Sequence, residues 1–170
     1  MDVMDAILDR YSLRSFAPRE VEEEKLLKIL DAGRLAPTAS NQQRVKVVVV
    51  KDPQVRSQLA QACRGQNFIG EAPVVLVVCA DQERTMLCGQ SARGTDCTIS
   101  LAFMCLEAAE QGIFGCWIGA FYQDQVKALL GIPEDYLVAG VFPMGYPEGD
   151  PVRREKKPLT EFFSVDAFQP

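Results

Sequence analysis

Asp96-Cys97-Thr98-Ile99-Ser100-Leu101-Ala102-Phe103-Met104-Cys105-Leu106-Glu107-Ala108-Ala109-Glu110-Gln111 is apolar on nearly every side when wound as a helix. Such a helix is buried on most faces: it is the central helix of a domain, or it packs in an interface between two copies. Gly112 stops it. Working outward, residues 73–80 and 137–144 read as strands, and residues 45–50 are nearly all valine, as a buried strand requires. Helices are expected over 1–10, where Val3, Ile7 and Leu8 oppose three aspartates, and over 21–35, where Leu26, Leu27, Ile29, Leu30 and Leu35 form a stripe. Glu20, Glu22, Glu23 and Glu24 crowd the start of the latter, where the helix dipole favours negative charge. Asp52-Pro53 opens another helix to about Cys63, and Val126, Leu129 and Leu130 mark one closed by Gly131 and Pro133. Residues 81–94 carry no clear pattern. There is no βαβ rhythm, and no GxGxxG follows a strand. The expectation is an α+β fold, a small sheet flanked by helices, with residues 1–170 forming one domain.

Composition narrows the chemistry. The 170 residues carry a net charge of -5, which argues against a nucleic-acid partner. No run approaches the ~18 apolar residues of a membrane span. The acidic start, with Asp2, Asp5 and Asp9, is unlike a signal peptide, so a cytoplasmic protein is expected. Six cysteines occur without a CxxC pair and without a single histidine. A metal site is therefore not expected, and the cysteines read as reduced core thiols. The lack of histidine also excludes a Ser-His-Asp triad or a Cys-His pair. Any chemistry comes from other side chains or from a bound cofactor.

Four constellations could carry it, each with a plainer reading beside it. Arg10-Tyr11-Ser12-Leu13-Arg14-Ser15-Phe16 sets two guanidinium forks around a hydroxyl, suited to a phosphate or to a helix C-terminus. Pro37 to Gln43 is polar enough to read the edge of a flat heterocycle, or to be a surface loop. Gly112 to Phe121 has the small residues that let backbone approach a ligand, or that make a tight turn. Gly145-Tyr146-Pro147 precedes Arg153-Arg154-Glu155-Lys156-Lys157-Pro158-Leu159, a cluster that could close on the same phosphate or lie in solvent. Phe162, Phe163 and Phe168 in the tail need cover, from a partner subunit or from the chain's own core.

In this order the four features resemble the FMN-dependent nitroreductase family. The chain matches its Arg-x-Ser-x-Arg/Lys-x-Phe segment with Arg10, Ser12, Arg14 and Phe16. It matches the Ala-Pro-Ser/Thr-x-x-Asn-x-Gln loop with Ala36, Pro37, Thr38, Asn41 and Gln43. Gly112, Cys116, Trp117, Ile118 and Gly119 match the Gly-x-x-x-Cys-Trp-Ile-Gly turn. Gly145 to Pro147 and Lys156 to Leu159 match the last motif. The resemblance spans nearly the whole chain. It implies a nitroreductase-like fold with a small, mostly antiparallel sheet, and an intertwined homodimer with FMN bound where the two protomers meet.

The resemblance also implies roles for individual residues. Arg10 and Ser12, with Arg154 and Lys156, would hold the FMN phosphate, with Tyr11 beside them. Arg14 would sit near flavin N1 and O2, where a guanidinium stabilises the anionic reduced form. Pro37, Thr38, Ala39 and Asn41 would come from the other protomer. Gly119 would offer its N–H to flavin N5, with Trp117 and Ala120 beside it, and Gln66 would lie near the pyrimidine edge. The implied activity is a ping-pong transfer from NADH or NADPH to a small-molecule acceptor, a nitroaromatic or a quinone, with no catalytic side chain. Two other activities fit the same resemblance: substrate oxidation or flavin fragmentation, and flavin binding without catalysis. The chain departs from the family pattern at Arg44-Val45, where Pro-Trp is usual, and in residues 81–94, which are short where relatives carry covering helices.

Overall fold

The computed structural model describes residues 2–81 and 83–169; Met1 and Gln82 fall outside the described residues, as does Pro170. The chain runs α1 (Val3–Asp9), α2 (Glu23–Leu35), β1 (Val45–Val50), α3 (Pro53–Ala62), α4 (Phe68–Glu71), β2 (Val74–Ala80), α5 (Ala92–Glu110), β3 (Phe114–Gly115), α6 (Gln123–Leu130) and β4 (Leu137–Gly145). Single 3-10 turns cover Ala39–Asn41 and Leu159–Glu161. The expected α+β class is what the chain adopts. The four strands pair antiparallel in the order β1-β2-β4-β3.

β2 explains why its sequence is apolar without alternation. Its side chains still point alternately to opposite faces, but both faces are covered. Val75, Val77 and Cys79 pack with Leu59, Ile69 and Val126 from α3, α4 and α6. Val74, Leu76, Val78 and Ala80 pack with Leu26, Ile29, Leu101 and Met104 from α2 and α5. All seven β2 residues are buried. α2 and α5 approach closely because Gly33 has no side chain: a Cβ there would lie 2.6 Å from Met104 Cγ. Ser100 Oγ–H locks the contact by donating to the Gly33 carbonyl at 2.9 Å.

Local signals set the helix ends. Asp2 and Asp5 form a reciprocal capping box on α1. Asp52 accepts from Gln54 and Val55 N–H at 2.8 and 3.0 Å, with Pro53 in the first turn of α3. Two expectations need correction, and one element is new. α5 starts at Ala92, not at Asp96, because Ser91 caps the helix through Gly94 N–H at 3.4 Å. Residues 84–91 are not formless: Thr85 bridges Ser91, and Met86 N–H donates to the Gln90 carbonyl at 2.8 Å, a small hairpin with Leu87 exposed at its tip. The one-turn α4 was not expected from the sequence at all. α5 also leaves Ala102 and Phe103 exposed in the single chain.

The tail does not fold back on its own core. Residues 151–169 are exposed throughout, with Phe162 at 75% and Phe168 at 88%. No helix among the described residues is long and apolar enough to cross a membrane. All six cysteines are free, and only Cys88 is exposed.

Candidate functional site

The first constellation is built by an extended segment whose residues alternate. Tyr11 and Leu13 are buried, whereas Ser12 and Arg14 are exposed; beyond the alternation Phe16 is buried again. With a side-chain period of two, Arg10, Ser12 and Arg14 share the outward face. The inward face is fixed: the Tyr11 and Phe114 rings lie 4.7 Å apart. Ser12 bridges Gly115 in parallel, and Leu13 N–H donates to the Gly115 carbonyl at 3.1 Å. Phe16 bridges Pro147, and Ala17 N–H donates to the Tyr146 carbonyl at 2.9 Å. The segment is thus stitched to the third and fourth constellations, which the sequence separates by about a hundred residues.

Arg10, Ser12 and Arg14 line a cleft of about 760 Å³ together with Arg154 and Lys156 from the tail. Arg153 also reaches it but is engaged elsewhere, donating to Asp9 Oδ1 at 3.0 Å and to the Leu8 carbonyl at 3.1 Å. Among the described residues, Arg10, Arg14, Arg154 and Lys156 have no carboxylate partner. Guanidinium and ammonium groups gathered beside a hydroxyl suit a phosphate.

The turn after β3 lies along β4 through paired Ile118 and Val141 hydrogen bonds of 2.8 and 3.1 Å. Gly119 and Ala120 are exposed beyond it, and Gly119 N–H has no acceptor among the described residues. Trp117 is 53% exposed, its indole seated over Gly140, where any Cβ would overlap it. Gln66 is brought to this turn: its Nε2 donates to the Cys63 carbonyl at 2.8 Å and to the Ala120 carbonyl at 3.4 Å. Arg14 stands over the Phe68 ring, 6.0 Å from its centroid.

Pro37, Thr38, Ala39 and Asn41 are not brought to this cleft. Ala39 N–H donates to Asp96 Oδ1 at 2.9 Å, on the first half of α5. Arg10 lies near Cys105, nine residues further, which is ~14 Å along a helix axis. Burial pushes the Cys105 thiol up to about 12, against the pull of that guanidinium. The loop is held in an unusual shape: Ser40, Asn41 and Gln43 all have φ of 54°, a region most side chains avoid. Thr38 Oγ1 accepts Gln43 N–H at 3.0 Å, and Arg84 from the hairpin donates to Ser40 Oγ at 3.0 Å. Neither Asp96 nor Arg84 belongs to the four sequence constellations; an acid among the apolar residues of α5 is the available signal. Arg44 faces another way, paired with Asp81 at 3.3 Å in a separate cleft of about 560 Å³ that also holds Arg93 and Glu83.

Tyr146 is a clamp beside the Arg10–Phe16 segment. Its hydroxyl donates to Glu22 Oε2 at 2.5 Å and accepts from Lys25 Nζ at 2.7 Å, while Arg19 covers its ring at 3.7 Å. The Tyr146 hydrogen bond, then the backbone and Arg19, draw the Glu22 carboxyl from its ordinary 4.5 down to about 2. A carboxyl held below its unfolded value stabilises the fold above the unfolded pKa, and that contribution is lost as pH falls through the folded one. Tyr146→Phe is therefore expected to lower the urea midpoint at pH 7, with the gap from the unmodified protein narrowing between about pH 4.5 and pH 2. A gap independent of pH would contradict the clamp.

The chain is similar to known proteins over most of its length. A model of the nitroreductase family matches residues 7–83 and 64–146. An NADH dehydrogenase of Thermus thermophilus is 30% identical, over 91% of this chain and 92% of its own length. The crystal structure of a nitroreductase family protein from Clostridium difficile 630 superposes with a TM-score of 0.89 at 29% identity, covering 99% of this chain and all of that one. The NADPH:FMN oxidoreductase of Vibrio harveyi, solved with NAD+, gives 0.90 at 27% identity over 99% of this chain and 78% of that one.

Proposed function

The chain belongs to the nitroreductase family, and from that membership we infer that it is an FMN-dependent oxidoreductase that takes electrons from NADH or NADPH. Its acceptor is a small oxidised molecule such as a nitroaromatic or a quinone. The observation that carries this reading is one cleft in which Arg10, Arg14, Arg154 and Lys156, without a carboxylate partner among the described residues, gather near Ser12, while the adjoining turn presents Gly119 N–H with no acceptor among the described residues.

The residues present fit FMN. Arg10, Ser12, Arg154 and Lys156 would hold its phosphate, with Tyr11 packed behind them. Arg14 would complement negative charge on the pyrimidine side, and Gln66 would keep the Ala120 end of the turn in place. Gly119 would donate to the ring, with Trp117 and Ala120 at its edge. When bound, FMN supplies two-electron hydride chemistry that no side chain here can provide. The protein's own part is to bind, orient and exclude water.

A second copy of the chain would complete the site with Pro37, Thr38, Ala39 and Asn41. Two observations support this homodimer. The loop bearing those four residues is on a different part of α5 from Arg10 in one chain. Phe103 and the tail phenylalanines are exposed as well, an apolar surface that a partner would cover. A cytoplasmic setting, where the cysteines stay reduced, belongs to the same reading.

Donor and acceptor would use one slot in turn, so initial rates with NADH or NADPH against a quinone are expected to give parallel double-reciprocal lines. Intersecting lines, or no consumption of either nucleotide, would contradict the proposed turnover.

A further inference from the structure

We propose that Asp96 is a positioning residue, whose carboxylate holds the Pro37–Asn41 loop in the shape that contacts FMN across the two copies. The inference rests on the proposed FMN site and adds to it a residue that touches no cofactor. Asp96 is one of two buried polar or charged residues among those described, 5% exposed on a helix otherwise lined by Cys97, Leu101 and Met104. Burying a carboxylate is costly unless a donor meets it. The donor is Ala39 N–H at 2.9 Å, from a residue 57 positions earlier.

The loop needs such a tie. Ser40 and Asn41, immediately after Ala39, have φ of 54°, and Gln43 repeats the value. Non-glycine residues in this region are unfavourable and persist only when surrounding contacts over-determine them. The N–H of Ala39 is where the loop is fastened to α5, and the strained pair begins one residue later. Thr38 Oγ1 and Arg84 secure the other side. Without the Asp96 contact the loop would relax toward ordinary backbone angles, and Thr38 and Asn41 would leave their places.

The test is FMN titration of the 170-residue chain, read by quenching of flavin fluorescence, alongside Asp96→Asn, Asp96→Ala and Ala39→Pro. The asparagine keeps an oxygen that accepts Ala39 N–H, so its FMN affinity should stay within about threefold of the unmodified protein. The alanine removes the acceptor and should weaken FMN about tenfold or more. Ala39→Pro removes the donor from the other side; Thr38, at φ -129° and ψ 155°, already has the extended backbone that precedes proline. It should match the alanine, and the double variant should lose little more. Should Asp96→Ala fail to fold, Ala39→Pro against Asp96→Asn carries the same comparison. Full affinity in Asp96→Ala or Ala39→Pro overturns the proposal. So does an asparagine variant as weak as the alanine, which would assign the effect to charge. An unmodified protein that binds no FMN overturns the FMN site itself, and this inference with it.

Discussion

Replacing Arg10 by alanine is expected to weaken FMN binding about ten- to a hundredfold, the loss of a charge-assisted contact of ~1.5–3 kcal/mol. Arg10 extends from the end of α1 into the cleft, and no described carboxylate holds it there. Its truncation should leave thermal stability of the FMN-free protein unchanged, which separates a binding loss from an unfolding loss. Arg153→Ala is the matched control. Arg153 lines the same cleft but donates to Asp9 and to the Leu8 carbonyl. Its effect on FMN should be several times smaller than that of Arg10. If both variants lost affinity equally, the site would be reading overall positive charge rather than one placed guanidinium.

Gly115→Ala is expected to destabilise the fold by about 3 kcal/mol, because the added methyl meets backbone rather than a movable side chain. A Cβ at Gly115 would overlap the Pro143 carbonyl oxygen and lie 2.6 Å from Phe142 Cζ. That carbonyl accepts Cys116 N–H at 3.2 Å, so it cannot retreat without opening the β3–β4 pair. For a chain of this size the melting midpoint should fall by roughly 10 °C. FMN affinity should fall with it, since Gly115 also carries the bridge to Ser12 and the hydrogen bond to Leu13. A midpoint within about 2 °C of the unmodified protein would mean that β3 yields easily and does not fix the Arg10–Phe16 segment.

Much of the fold was legible because its signals are local. Val45–Val50 is a strand with the bounds its valines suggest, and Asp52-Pro53 caps α3 where expected. The start of α5 was less visible, since Arg93 and Gly94 interrupt the apolar run while the capping bond comes from Ser91. The hairpin of residues 84–91 has short pairings and no alternating apolar pattern, so periodicity could not reveal it. Of the site, Arg10, Ser12 and Arg14 could be picked out by type and spacing, but their shared face depends on an extended backbone pinned by Gly115 and Tyr146. Asp96 was hidden for a related reason: its role is fixed by a backbone N–H 57 residues away, and residue types alone do not encode that distance. The Pro37–Asn41 motif was recognisable, yet its separation from the Arg10 cleft within one chain emerges only from packing along α5.

The most direct test of the FMN assignment is the visible absorption spectrum of the purified protein, followed during anaerobic titration with NADH or NADPH. The bands of oxidised flavin are expected, released on denaturation as FMN at one per chain and bleached by at least one of the two nucleotides. A colourless protein that takes up no added FMN, or bound FMN that neither nucleotide bleaches, would contradict it.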